Sequence, residues 1–312
     1  MKRNKLHNFK KVWVAGHRGM VGSRLVKKLE EKQLVVLKVD KSKLDLRIQS
    51  DVESWFKKNT PDLVFLAAAK VGGILANRER PAEFISDNLL IQNNIINYAF
   101  KYGVKKLVFL GSSCIFPVSQ ELIKESDLMK GKLEETNRAY AVAKIAGIEM
   151  CRSYFAQYNC NFISVLPCNL FGPGDNFLND DSHVVPALMR KIKNAEIQNQ
   201  DECILWGSGD PLREFLYVDD LVDGLIFLAE NYNDIEPINI GSGLELSIKE
   251  LSKKIKVITG FKGKIKFDKS FPDGVMRKIL DITKIKKLGW KPKFDIDESL
   301  KITFDWFMKN SN

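Results

Sequence analysis

The sequence predicts an α/β protein, with a doubly wound parallel sheet and a smaller mixed α/β lobe. Three observations predict it. Short apolar runs alternate with amphipathic helical stretches through the first half of the chain, the order that lays parallel strands side by side with helices on both faces. Glycines 16, 19 and 22 follow the first run directly and open a helix. After Phe171-Gly-Pro-Gly-Asp-Asn176 the alternation gives way to a mixed pattern.

Taken in order, the strands are 12–15 (Val-Trp-Val-Ala), 34–39 (Leu-Val-Val-Leu-Lys-Val), 63–67 (Leu-Val-Phe-Leu-Ala), 107–111 (Leu-Val-Phe-Leu-Gly) and 162–166 (Phe-Ile-Ser-Val-Leu), each bounded by turns. Helices at 21–31, 51–58, 81–102 and 139–158 fill the intervals. Beyond residue 176 come a helix over 182–194, a turn at Trp206-Gly-Ser-Gly-Asp-Pro211, and helices at 218–230, Ile248–Thr259 and 296–307. Residues 1–173 with about 214–241 then form a dinucleotide-binding domain, and about 174–213 with 242–312 a substrate lobe. No internal repeat or low-complexity linker is present.

Composition narrows the class. The chain has 312 residues, 45 % apolar and 28 % charged, an ordinary balance for a globular protein. No apolar run reaches the ~20 residues of a membrane helix. The basic stretch Met1 to Lys11 leads into a strand, not a signal-peptide core, so no export signal is expected. Cysteines 114, 151, 160, 168 and 203 lack Cys-x-x-Cys spacing and are odd in number, which fits a reduced, cytoplasmic setting. The net charge of +10 comes from lysines spread along the chain, with a modest cluster at 253–266. Without zinc spacing, a basic heptad or an aromatic RNA-binding signature, nucleic acid is not an expected partner, and no metal site is read.

The chemistry is carried by three short segments. Tyr140 and Lys144 lie four apart on one helix and share a face, so an ammonium stands beside a phenol. A neighbouring cation favours phenolate and moves a pKa of ~10 toward neutrality. Such a tyrosine can give a proton to an oxygen that has just received hydride. Ser112 sits past the fourth strand, at the carboxyl edge where open α/β sheets bind ligands, and its hydroxyl can donate to the waiting carbonyl. Gly16, Gly19 and Gly22 allow a tight turn and close approach of a pyrophosphate to a helix N-terminus. Within that loop Arg18 can meet an adenosine 2′-phosphate, assisted by Lys38, Lys41 and Lys43. Asp40 points the other way, since a carboxylate there grips an unphosphorylated ribose. The balance favours NADP and leaves NAD open. His7 and His17 receive no catalytic role.

With this glycine spacing and with Ser112, Tyr140 and Lys144 in that order, the chain resembles the extended short-chain dehydrogenase/reductase superfamily. Ala15-Gly-His-Arg-Gly-Met-Val-Gly22, Ala67-Ala-Ala-Lys-Val-Gly-Gly-Ile74, Leu110-Gly-Ser-Ser-Cys-Ile-Phe-Pro117, Tyr140-Ala-Val-Ala-Lys-Ile-Ala-Gly147, Ser182-His183-Val-Val-Pro186 and Trp206-Gly-Ser-Gly-Asp-Pro-Leu-Arg-Glu-Phe215 narrow the likeness. It runs to the GDP-L-fucose synthase family, over residues 12 to 306. The resemblance implies a Rossmann domain and an NADPH-dependent conversion of GDP-4-keto-6-deoxy-D-mannose to GDP-L-fucose, with epimerisation at C3 and C5 and reduction at C4. It assigns Cys114 as the base that removes the acidic C3 and C5 protons and His183 as the acid on the other face. Cofactor contacts fall on Gly16, Arg18, Gly19, Met20, Val21, Gly22, Lys41, Leu110, Gly111, Ser112, Tyr140, Lys144, Pro167, Asn169, Leu170 and His183. Substrate contacts fall on Lys191, Trp206, Arg213 and Arg277. The resemblance also implies a homodimer through the two long helices.

Two positions depart from the family pattern. Lys191 stands where arginine is expected and lacks its bidentate fork, and Pro272-Asp-Gly-Val-Met-Arg-Lys278 carries Val-Met for Thr-Pro. The nearest alternative is a reductase or epimerase of a related GDP-linked keto sugar. A dehydratase would carry an Asp-Glu pair where this chain has Cys114-Ile-Phe116. A cofactor-sensing regulator would not need the tyrosine–lysine pair.

Overall fold

The computed structural model describes residues 5–119, 121–177, 182–271 and 273–310. Residues 1–4 of the basic N-terminal stretch and Pro272 lie outside them. The apolar runs form strands β1 (Lys11–Ala15), β2 (Val35–Leu37), β3 (Leu63–Leu66), β4 (Lys106–Leu110) and β5 (Phe162–Pro167). Between them lie α1 (Met20–Glu31), α2 (Gln49–Asn59), α3 (Ile74–Glu79), α4 (Pro81–Lys101) and α5 (Arg138–Tyr158). The chain continues through β6 (Asn169–Phe171), α6 (Val184–Ile197), β7 (Glu202–Trp206), β8 (Leu212–Tyr217), α7 (Val218–Asn231), β9 (Ile238–Ile240) and β10 (Glu245–Ser247). It ends with α8 (Ile248–Thr259), β11 (Lys264–Asp268), β12 (Arg277–Lys278), α9 (Thr283–Leu288) and α10 (Ile296–Asn310).

Six strands make an all-parallel sheet in the order β2-β1-β3-β4-β5-β9. The order reverses at β1, so the crevice beyond the carboxyl ends of β1 and β3 is the expected ligand position. Val12, Trp13, Val14, Leu63, Val64, Phe65, Leu107 and Val108 are buried completely, which is why these strands read as unbroken apolar runs. Residues of α7 and β9 join this core, whereas α6, α8 and α10 close a second core around Phe171, Met189, Phe215 and Leu251. In the second lobe β8 pairs with β6, β10 and β12, and β7 pairs with β11.

The expected strand 34–39 is shorter than read. Only Val35–Leu37 pair with β1, and Lys38 turns out to Glu30 at 2.7 Å. The helix expected over 182–194 begins at Val184 and runs to Ile197.

Lys106 opens β4 and is fully buried. Its Nζ donates to the carbonyl oxygen of Tyr232 and to the amide oxygens of Asn161 and Asn233, at 3.1 and 2.7 Å for the two asparagines. The amine thus ties β4 to the end of α7 and the start of β5. Burial pushes its pKa down to about 7. An unfolded lysine keeps its proton up to its ordinary value of 10.5, so between about 7 and that value unfolding takes up a proton and stability rises with pH. Lys106→Met should therefore remove up to about 1.4 kcal/mol per pH unit from this slope. Urea midpoints from pH 7.5 to 9.5 check it; parallel slopes for the two proteins would mean the amine is charged in the fold.

Candidate active site

The glycine loop joins β1 to α1. Gly19 caps α1, and its N–H donates to Gly16 O at 3.0 Å to close the turn. Gly16 has φ +92°, and a side chain there would strike Ala68 N at 2.7 Å. A Cβ on Gly22 would lie 2.0 Å from Gly16 O, so the first turn of α1 presses on the loop and both positions require glycine. Gly19 differs: a Cβ there meets only Gly16 O, at an ordinary 3.5 Å. Among the described residues no side chain caps α1, and no acidic residue stands in its first turn. Free amides and the helix dipole therefore face an open cradle, a fit for the pyrophosphate of a dinucleotide. Met20 and Val21 begin the helix and pack against the second core. Beyond β2, Asp40 Oδ1 lies 2.8 Å from Arg18 Nε and 3.1 Å from His17 Nε2, while Lys41 is exposed. Lys38, expected to help Arg18, is held by Glu30 instead.

The reacting groups gather at the carboxyl end of β4. Leu110 ends the strand, and Gly111 N–H donates to Val165 O at 2.8 Å. Ser112 Oγ then accepts from Cys114 N–H at 3.2 Å and starts a short 3-10 turn, leaving the Cys114 thiol partly buried. From α5, Lys144 Nζ donates to Leu110 O at 2.8 Å. It also lies 4.8 Å from the Phe109 ring centre and 5.9 Å from that of Tyr140. Phe84 of α4 sets its edge against Tyr140.

The protonation states correct the sequence reading. Lys144 was expected to draw the phenol toward neutrality. Instead burial, with the nearby Cys114 thiol, pushes the Tyr140 pKa well above 10, and a hydrogen bond with Ser112 offsets this only in part. Burial pushes the Lys144 amine down to about 7. Desolvation penalises both charged forms. Tyr140 is therefore a neutral phenol, a proton donor rather than a preformed phenolate.

His183 precedes α6 and its ring is half-exposed. Its Nδ1 lies 3.5 Å from Asp175 Oδ1, and this carboxylate raises the imidazole pKa against the pull of burial. Asp175 is nearly enclosed and also accepts from Asn176 N–H at 2.8 Å. Sequence reasoning gave Asp175 no role; its place in Gly172-Pro-Gly-Asp175, where the chain leaves the sheet, was the available signal.

The expected substrate residues separate into groups. Trp206 ends β7, is exposed, and stacks on Phe271 at 4.6 Å and 9°. Lys191 Nζ lies 5.4 Å from the Trp206 ring centre, and the two border a groove of about 470 Å³ with Asn194, Gln198, Glu202 and Asp268. On β8, Arg213 Nη1 donates to Leu212 O at 2.9 Å. Burial lowers its pKa, opposed by Glu134, Asp273 and Cys114, so the guanidinium lies within the field of the thiol. Arg277 is turned to Glu245, with Nε at 2.7 Å and Nη2 at 3.0 Å, rather than offered to the groove. Pro167, Asn169 and Leu170 carry the chain from β5 into β6, where Asn169 Nδ2 donates to Glu214 O at 2.9 Å.

Comparisons with known proteins give the family. Residues 12–241 match the NAD dependent epimerase/dehydratase family. The chain is 50 % identical over 303 residues to GDP-L-fucose synthase 1 of Arabidopsis thaliana, covering 96 % of this chain and 94 % of that one. A GDP-L-fucose synthetase from Naegleria fowleri, solved with NADP bound, superposes with a TM-score of 0.90 at 31 % identity, covering 100 % of this chain and 95 % of that one. A GDP-6-OMe-4-keto-L-xylo-heptose reductase from C. jejuni superposes with a TM-score of 0.93 at 34 % identity, covering 99 % and 100 %.

The open cradle at Gly19 has a direct test. Gly19 has φ −72°, so Gly19→Ala should fold with an unchanged melting temperature yet bind NADP at least ~10-fold more weakly. Calorimetric titration checks this, and undiminished affinity would place the pyrophosphate elsewhere.

Proposed function

The chain belongs to the NAD-dependent epimerase/dehydratase family, and on that premise we propose how its residues divide the work of GDP-L-fucose formation. The reaction is the 3,5-epimerisation of GDP-4-keto-6-deoxy-D-mannose followed by NADPH-dependent reduction at C4. The observation that carries the assignment is the grouping of Ser112, Cys114 and Tyr140 at the end of β4, above the buried Lys144.

The C4 ketone acidifies the protons on C3 and C5. Cys114 removes each in turn to give an enolate, and His183 returns a proton on the opposite face. Asp175 raises the imidazole pKa and so favours its charged form for that step. A bound NADPH supplies hydride to C4. Ser112 donates a hydrogen bond to the C4 oxygen, and Tyr140 gives that oxygen its phenolic proton. Lys144, with its pKa near 7, balances the phenolate left behind. Arg213 is placed to meet a substrate phosphate. Trp206 and Lys191 flank the nucleotide end. Arg277 takes part only by leaving Glu245. Gly16, Gly19 and Gly22, with Met20, Val21 and Asn169, hold the cofactor.

Turnover of the purified protein with NADPH and GDP-4-keto-6-deoxy-D-mannose, with product stereochemistry read by NMR, tests the whole reading. Reduction without inversion would instead make it a reductase of a GDP-linked keto sugar with no epimerase step. Two variants separate the half-reactions. Tyr140→Phe should slow reduction by ~10²–10⁴-fold while exchange at C3 and C5 in deuterated water continues. Cys114→Ser should nearly stop that exchange, and any sugar it reduces should retain the starting configuration. Normal exchange by Cys114→Ser would reduce the cysteine to packing.

The protein acts as a cytoplasmic homodimer. No described helix is long and apolar enough to cross a membrane, and the five cysteines are free. Leu89, Leu90 and Phe100 of α4 and Val142 and Tyr158 of α5 are exposed, an apolar face suited to a matching pair of helices on a second copy. Light scattering at micromolar concentration should give a dimer, and Leu90→Lys with Val142→Lys should give a monomer. A monomeric wild type would reject the interface.

A further inference from the structure

Glu214 lies on β8 beside Arg213 and is fully buried, yet no step of the proposed reaction uses its carboxyl group. Its Oε1 accepts from Gly243 N–H at 2.7 Å and its Oε2 from Leu280 N–H at 3.0 Å. Burial pushes its pKa up, and the two amides pull the other way. The two donors adjoin the strands that flank β8: Gly243 leads into β10, and Leu280 follows β12. Those ladders are short, since β10 has three residues and β12 two. Both reach Arg213, which lies opposite Leu246 on one side and Lys278 on the other. The carboxyl group thus holds each flanking segment beyond the end of its ladder. Gly241 leaves room for it, because a Cβ there would fall 2.2 Å from Glu214 Oε1.

We infer that Glu214 is a positioning residue for Arg213, clamping β8 between its two short partners so that the guanidinium meets a substrate phosphate at a fixed place. Successive residues of a strand project to opposite faces, so Glu214 can grip the interior while Arg213 faces the other way. Arg213 Nη1 donates to Leu212 O at 2.9 Å, which ties the guanidinium to the backbone of its own strand. Its place therefore follows that of β8. This role depends on the proposed contact of Arg213 with that phosphate. A buried carboxyl group that only added stability would affect phosphate binding with or without Arg213. One that acts through Arg213 loses that effect once the guanidinium is gone.

The test reads binding without turnover. GDP and NADP are titrated calorimetrically into wild type, Glu214→Gln, Gly241→Ala, Arg213→Ala and the double variant of Glu214→Gln with Arg213→Ala, with thermal melts to establish folding. Glutamine keeps the volume of glutamate but turns an NH2 toward one of the two amide donors, which then lacks an acceptor. Gly241→Ala disturbs the same carboxyl group from outside. Arg213→Ala should weaken GDP by ~10–100-fold, the size expected of a charge-assisted bond. Glu214→Gln and Gly241→Ala should each weaken GDP by about tenfold and leave NADP within about twofold. With Arg213 already replaced, Glu214→Gln should weaken GDP no further. A full tenfold loss on that background, an equal loss of NADP, undiminished GDP affinity in Glu214→Gln, or unfolding of both Glu214→Gln and Gly241→Ala would overturn this role and leave the carboxyl group structural alone. Undiminished GDP affinity in Arg213→Ala would instead overturn the phosphate contact, and the positioning role with it.

Discussion

The burial of Lys144 is the constraint on which the site depends. Its Nζ donates to Leu110 O, the last carbonyl of β4, and so fixes α5 to the carboxyl edge of the sheet. Tyr140, one helical turn earlier, is thereby set beside Ser112, two residues beyond Leu110. The same burial settles the protonation states. An amine with its pKa near 7 is charged or neutral at small cost, and a phenol held well above 10 keeps its proton until an acceptor arrives. An acid that must donate once per turnover is better served by that phenol than by a phenolate already formed.

Strand β4 is bracketed by two such lysines. Lys106 opens it and Lys144 contacts its end, and burial pushes both amines to about 7. Only one of them faces chemistry. Lys106 is surrounded by a carbonyl and two amide oxygens, neutral acceptors with no proton to exchange, and it joins β4 to the end of α7. Lys144 faces a phenol and, through it, a hydroxyl and a thiol. A perturbed pKa thus marks a functional group only in the company of others that can transfer protons.

The first half of the fold was legible because strands covered on both faces read as continuous apolar runs, and β1, β3, β4 and β5 lie within a residue of their expected limits. The second lobe was not. In β7, Ile204 and Trp206 are exposed while Cys203 and Leu205 are buried, and among the described residues it pairs with β11 alone. β12 has two residues. Such strands depend on pairing that no local pattern announces. The catalytic set shows the same divide. The adjacency of Tyr140 and Lys144 follows from helical spacing and was readable. Their desolvation depends on how α5 meets β4, and the direction of the tyrosine shift was read wrongly for that reason. Asp175 lies 3.5 Å from His183 Nδ1 at the start of α6, a tertiary fact without a periodic signature.

Titration of the Lys144 side chain tests this account most directly. NMR of the lysine Cε and Nζ nuclei across pH 5 to 11, with Lys144→Met and Lys106→Met to assign the two buried signals, reads its protonation in the folded protein. The account predicts a midpoint near 7 for Lys144. A midpoint near the ordinary 10.5 would mean that a charged ammonium stands beside Tyr140, and that the phenol is drawn toward phenolate after all.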